Sequence, residues 1–221
     1  MLSTARANNY NLSPNTKTGS DGYIAGDYAI GATGPGGGKI IYRDPAGFTI
    51  QGYGNPGDSG YFASYTAYYI EVAPAGWHSS VPTGDPTLAW ASSAFVHPDN
   101  GGTGDWVSIS GLSSNIGTGR RNTALILATD GLAPAALACR NYTGGGQNDW
   151  YLPNMNEIIE VATQGSYLTG LTMNTHRWSS SQFSAMHVNA LYYDGPHAYT
   201  SGNFMLDNKS VTYPVRPIRV F

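Results

Sequence analysis

Residues 141–165 read NYTGGGQNDWYLPNMNEIIEVATQG: a glycine-rich polar run that gives way at Asn154 to a helix. The Asn154 side chain can accept from the free amides of the first turn, and Glu157 stands three residues on, the spacing of a capping box. Ile158, Ile159, Val161 and Ala162 form an apolar stripe, and Gly165 ends the helix. Upstream, Thr123–Arg140 (TALILATDGLAPAALACR) carries a second helical pattern with Asn122 as its N-cap. Asp130-Gly131 and Pro134 break that pattern into two short pieces.

Strands are expected on either side. Lys39–Arg43 follows the glycine run GATGPGGG at 31–38, and Phe48–Tyr53 is expected to return as its hairpin partner through Asp44-Pro45-Ala46-Gly47. Ala67–Ala73 clusters β-branched and aromatic residues until Pro74 stops it. Beyond residue 170 come Arg177–Phe183, Ala185–Tyr193, Asn203–Leu206 and Val211–Phe221, the last confined to irregular pairing by Pro214 and Pro217. Residues 75–118 are loop-rich, and Trp77, Trp90 and Trp106 make them a packed loop region rather than a disordered one. Few helices and many short strands predict an α+β domain over residues 34–221. It is preceded by a polar arm, residues 1–33, either flexible or serving oligomerisation or attachment.

Composition narrows the function. Of 221 residues only 11% are charged, with 11 basic against 14 acidic side chains and a net charge of -3; an ordinary domain carries about 25% charged residues. The surface is instead built from Gly, Ser, Thr, Asn and Tyr. Without a basic surplus, nucleic-acid binding loses its main energetic term. No apolar run approaches the roughly 20 residues that span a bilayer, so membrane insertion is not expected. The opening MLSTARANNYNLSPNTKTGS lacks the apolar segment of a signal peptide. A location on a virion or a bacterial surface then implies a non-classical route. A single cysteine, Cys139, permits no intrachain disulfide.

Sequence motifs for chemistry fail one by one. GPGGGK at 34–39 is one residue short of a phosphate loop, and Ile40 replaces its hydroxyl. His78, His97, His176, His187 and His197 lack metal-ligand spacing. The loop HPDNGGTGD at 97–105 offers oxygens for calcium near Asp99, Asn100 and Asp105, but its register is not that of an EF-hand, and an Asp/Asn turn explains it more simply. Cys139 reads as a buried apolar contact. Ser179–Ser181 has no GxSxG elbow, and Glu71, Asp149, Glu157 and Glu160 form no visible acid/base pair. The chain is expected to be non-enzymatic and to need no cofactor.

Several stretches in order carry a resemblance. Gly144-Gly145-Gly146, Asp149-Trp150 and Leu152-Pro153 resemble the GGG-x-x-DW-x-LP signature of the DUF1566 family, also called the Legionella collagen-like protein C-terminal domain. Gly117–Thr123 resembles its GTG-x-x-NT segment, Arg177–Ser181 its WSSS element and Val215–Phe221 its VRPVR-x-F ending; Tyr151 departs, standing where many relatives carry Arg. The resemblance implies a C-type-lectin-like fold, with two helices, a small twisted antiparallel sheet and long loops. It also implies kinship with variable proteins of diversity-generating retroelements and, in role, with a phage major tropism determinant.

On that reading residues 178–214 are a variable region. Its ligand-binding residues are Gln182, Ser184, His187, Asn189, Tyr192, Tyr193, Asp194, His197, Tyr199 and Asn203, with Val188, Ala190, Leu191, Phe183, Phe204 and Leu206 as its core. Tyr, Ser and Asn are what adenine replacement at Asn codons supplies, and they suit adaptable contact surfaces. The expected function is binding of a protein or glycan receptor on a cell surface, as on a phage tail fibre or tip. The alternative is a structural or interaction module of a phage particle, fibre or secretion-type assembly. Homotrimeric display is the oligomer such a role suggests.

Overall fold

The computed structural model describes residues 28–197 and 203–221; residues 1–27, most of the expected arm, and Tyr199 lie outside them. Helix α3 (Met155–Thr163) forms as its sequence requires. Asn154 Oδ1 accepts from the Glu157 amide at 3.0 Å, and Glu157 Oε2 accepts from the Asn154 amide at 2.9 Å. Its buried face, Met155, Ile158, Val161 and Ala162, packs on Ile41, Ile50, Ile70 and Leu191. The other helical pattern is broken where expected, into α1 (Gly119–Thr129) and α2 (Pro134–Asn141), the latter opened by Pro134 in its first turn.

One cap is corrected. Helix α1 starts at Gly119, so Asn122 lies inside its first turn. Its wholly buried amide donates to the carbonyls of Ser113 at 2.6 Å and Ser180 at 3.3 Å, while Oδ1 accepts from the Ser113 amide at 3.0 Å. Asn122 thereby ties the helix to a loop and a strand, a tertiary demand that outweighs local capping.

Among the described residues, three small antiparallel sheets accompany the helices, making a mixed α+β fold. In the first, β1 (Lys39–Ile50) pairs with β2 (Tyr65–Val72), and β2 with β8 (Ile218–Val220). The hairpin expected at Asp44–Gly47 is absent: β1 runs on as one bulged strand. The register shift between Arg43 and Phe48 absorbs Pro45, which has no ladder donor, and Gly47 at φ +80°. Phe48–Ile50 then pair with Tyr65–Ala67, which fixes the direction that turn propensity alone would have reversed.

The second sheet joins β3 (Thr87–Ala89), a strand inside the loop-rich segment, to β7 (Thr212–Pro214). The third is β4 (Thr175–Gln182), β5 (His187–Tyr193) and β6 (Phe204–Asn208), in that order. The single strand expected over Val211–Phe221 is therefore two, β7 and β8, in different sheets. Pro214 and Pro217, lacking donors, mark the crossing.

The core is organised around tryptophans whose ring N–H groups all find acceptors. Trp90 donates to the Ser179 carbonyl at 2.9 Å, Trp178 to Leu88 at 2.9 Å and Trp150 to Gly144 at 3.2 Å. Val188, Ala190 and Leu191 are fully buried, as read from the sequence, and Phe204 is partly so. Phe183 and Leu206 are not core: they are 64% and 43% exposed. Phe183 falls in the β4–β5 turn, and Leu206 lies on β6, the sheet's edge. Tyr193, only 3% exposed, packs beside α3 instead.

Candidate functional site

The third sheet is held at its base by one carboxylate. Arg177, on β4, places Nη1 2.8 Å from Asp85 Oδ2, and Arg216, after β7, places Nε 2.6 Å from Asp85 Oδ1. Trp77 Nε1 donates to Oδ1 at 3.1 Å, and Arg216 reaches the carbonyls of Thr169 and Gly170 at 2.8 and 3.1 Å. All three charged side chains are buried, so their desolvation is offset only by this mutual geometry. Burial lowers the Arg177 pKa, and Asp85 opposes that shift. The two flanks of the segment 178–215 are thus tied to the same carboxylate.

A second buried cluster fixes the C-terminal strand. Arg219 grips Asp149 through Nε at 2.8 Å and Nη2 at 3.1 Å, and Glu71 through Nη1 at 3.2 Å. Burial acts to lower the Arg219 pKa, but the two carboxylates outweigh it and the net shift is upward. Glu71 also accepts the amides of Gly36 at 3.0 Å and Gly38 at 2.7 Å. The glycine run that imitates a phosphate loop therefore spends its amides on the protein's own carboxylate. Burial still raises the Glu71 pKa against Arg219 and those amides.

The residues assigned to ligand binding fall into distinct settings. Gln182 is half-buried: Oε1 accepts from Lys209 Nζ at 2.9 Å and the Ile109 amide at 3.3 Å, and Nε2 donates to Ser108 Oγ at 3.0 Å. Lys209 is itself buried over the Trp90 ring, and burial lowers its pKa to about 8. Ser184 Oγ accepts the His187 amide at 3.0 Å within the β4–β5 turn. Asn189 donates to the Ser181 carbonyl at 3.1 Å. Tyr192 packs on His176 at 5.1 Å, and Tyr193 lies buried with the Arg177 guanidinium 5.6 Å from its ring centre.

Asp194 and His197 are exposed and 3.4 Å apart, and Asn203 is half-buried just before β6. Strand alternation puts His187 and Asn189 on one face of β5 and Tyr192 on the other. Large apolar side chains exposed in this region are Phe183 (64%), in the β4–β5 turn, and Met205 and Leu206 on β6; hydrophobicity alone marks Phe183 and Leu206 as core.

Two further features lie outside that sheet. Asp99 and Asn100 sit in an exposed turn capped by His97, and Asp105 Oδ1 accepts the Trp106 amide at 2.8 Å. No group of three or more His, Cys, Asp or Glu side chains among the described residues is placed to hold a metal ion. An open cleft of about 670 Å³ lies between the loop at Trp77 and α2.

No known family description matches the chain, and no curated protein does. Among solved structures it is similar to a fimbrial protein from Bacteroides ovatus ATCC 8483, at 13% identity and a TM-score of 0.39. That match covers 70% of this chain and 36% of the other, so the chain spans about a third of that protein's length. At this level the overlap assigns neither fold nor function. No helix among the described residues is long and apolar enough to cross a membrane.

Proposed function

We propose that the chain is a non-catalytic interaction module of a surface, fibre or particle assembly, with the β4–β6 sheet as its contact element. The observation that carries this reading is the exposure of Phe183 in the β4–β5 turn and of Met205 and Leu206 on the edge strand β6, on a sheet whose base is locked through Asp85. Exposed apolar side chains on a rigid support are what an association surface requires. Low surface charge removes the repulsion that would otherwise keep copies apart. Native mass spectrometry of the full chain, and fluorescence-detected binding of the labelled chain to intact bacterial cells, test it. A multimer or cell binding that F183S/L206S abolishes is expected. A wild-type chain that stays monomeric and binds no cells would overturn it.

A second reading has its own support. The tethering of Arg177 and Arg216 to one carboxylate brackets the segment 178–214 that the DUF1566 resemblance marks as variable. A diversified, C-type-lectin-like receptor-binding domain needs such a frame, because substitutions at exposed positions between the two arginines then leave the base intact. A reverse-transcriptase gene and a template repeat matching this segment beside the coding sequence would favour this reading over the first. A gene neighbourhood without them would count against it.

A further inference from the structure

Two arginines without a carboxylate partner stand at one cleft. Arg120 lies in the first turn of α1 and Arg140 in the last turn of α2. The Arg120 guanidinium sits 4.2 Å from the Phe62 ring centre, and its Nη1 donates to the Tyr65 hydroxyl at 3.1 Å. The group is thereby fixed, while its Nε is buried with no hydrogen-bond partner among the described residues. Arg140 is exposed, and its Nη1 donates to the Asn148 carbonyl at 3.0 Å. Partial burial and then the Arg120 charge lower the Arg140 pKa, against the pull of Asp149. Both Asp149 oxygens are already taken by Arg219. Among the described residues, neither Arg120 nor Arg140 is within ion-pair distance of a carboxylate. Arg140 lines an open cleft of about 450 Å³ with Tyr53, Asp58, Ser59, Ala124 and Leu127. A narrow recess that holds Arg120 adjoins it, sharing Gly60, Ala124 and Arg140. The cleft falls within the range of small-ligand sites, about 300–1,000 Å³.

We propose that Arg120 and Arg140 form a binding site for a small organic acid, one carboxylate joined to an apolar body. Two neighbouring guanidiniums repel each other, and a carboxylate bound to both replaces that repulsion with charge-assisted hydrogen bonds. The planar guanidinium fork also matches a carboxylate in geometry. Leu127, Ala124 and the Tyr53 ring offer the rest of such a molecule an apolar wall. Asp58, whose Oδ2 accepts the Asn55 amide at 2.7 Å, adds negative charge to the same cleft. A monoanion meets less repulsion from it than inorganic phosphate does. The last residue of a peptide carries the same carboxylate chemistry, and the test separates the two sources. The site shares no residue with the β4–β6 sheet, so it stands apart from the reading above.

Titration calorimetry and saturation-transfer NMR of the full chain at low ionic strength test the proposal. The probes are hydrocinnamate, isocaproate, the peptide acid N-acetyl-Ala-Ala-Phe, hydrocinnamide and inorganic phosphate. At least one carboxylate should saturate with a Kd of about 1 mM or tighter, and whether it is a free acid or the peptide identifies the source. Hydrocinnamide, which lacks the charge, should not saturate, and phosphate should bind more weakly than the best carboxylate. R120Q and R140Q should each weaken binding about tenfold or more. Circular dichroism checks folding, and R140Q, at an exposed position, carries the test if R120Q loses its packing on Phe62. F183S/L206S should bind as wild type does, which separates failure of this site from failure of the association surface. Absence of saturation by all three carboxylates at about 10 mM, the amide binding as well as its acid, phosphate binding more tightly than every carboxylate, or affinity unchanged in R140Q overturns the proposal.

Discussion

Arg177 and Arg216 hold opposite oxygens of the buried Asp85 carboxylate, at 2.8 and 2.6 Å. Two cations share one anion, and the balance is uneven. Arg216 also donates to the Thr169 and Gly170 carbonyls, whereas Nε and Nη2 of Arg177 are buried without a hydrogen-bond partner among the described residues. Asp85 is therefore the member whose loss costs most. D85A leaves two guanidiniums uncompensated and should lower stability by about 3–5 kcal/mol. R177M removes unsatisfied donors along with the charge and should cost markedly less. Urea denaturation of the two variants checks the order; equal losses would show that Asp85 carries no more of the cluster than Arg177 does.

Glu157 predicts a pH dependence. Its carboxylate is fully buried, and burial raises its pKa to about 7 against the pull of the Asn154, Gly117 and Gly119 amides and the Tyr151 hydroxyl. The folded pKa exceeds the unfolded value of 4.5, so the native state holds more protons between those limits. Stability from this group is therefore full below about pH 4.5 and lost as pH rises towards 7, by roughly 3 kcal/mol at most. Melting temperature measured across that interval should fall with rising pH, and E157Q should flatten the slope.

Gly38 and Gly37 separate two kinds of glycine requirement. A Cβ on Gly38 would collide with the Val72 carbonyl oxygen and approach Glu71, whereas Gly37 has open space around it and only a left-handed φ of +80°. G38A should cost more than about 3 kcal/mol, because backbone must move. G37A should cost about 1 kcal/mol, the strain of that conformation alone. Thermal melts of the pair decide the matter; a G38A loss no larger than that of G37A would show that the Glu71 cradle yields freely.

Cys139 is fully buried in α2, and burial raises its thiol pKa well above the ordinary value, with Asp85 adding to the shift. The thiolate is the reactive form. Labelling by an aromatic disulfide reagent at pH 8 should be slow in the native protein and complete at once in denaturant. Rapid native labelling would contradict the packing of this helix.

The parts of the fold that local chemistry governs were legible in the sequence. Asn154 and Glu157 reveal α3 because both cap partners lie within one turn. Asp130-Gly131 and Pro134 reveal the break between α1 and α2 for the same reason. Asp44–Gly47 misleads because its turn preference yields to the pairing of Phe48–Ile50 with β2, whose strength is tertiary. Val188 and Ala190 follow alternation into the core, but alternation cannot say that Phe183 lies in a turn or that Leu206 occupies an uncovered edge. Asp85 lies 92 and 131 positions from its two arginines, a distance at which residue type gives no hint of partnership. The cleft beside Trp77 is equally non-local, since Ser79 and Asn141 come to line it together only once the chain has folded.

The N-terminal end of the described structure lies against its C-terminal end. Tyr28 stands edge-on to Phe221 at 5.7 Å, and Phe221 stacks on Tyr69 of β2 at 5.3 Å. A force pulling residue 28 away from residue 221 is borne first by those aromatic contacts, by the short β2–β8 ladder and by the grip of Arg219 on Asp149 and Glu71. The Asp85 tether takes the load next, because Arg216 lies two residues before β8. Tension carried through the two ends accordingly peels the domain open from its root before it reaches the β4–β6 sheet.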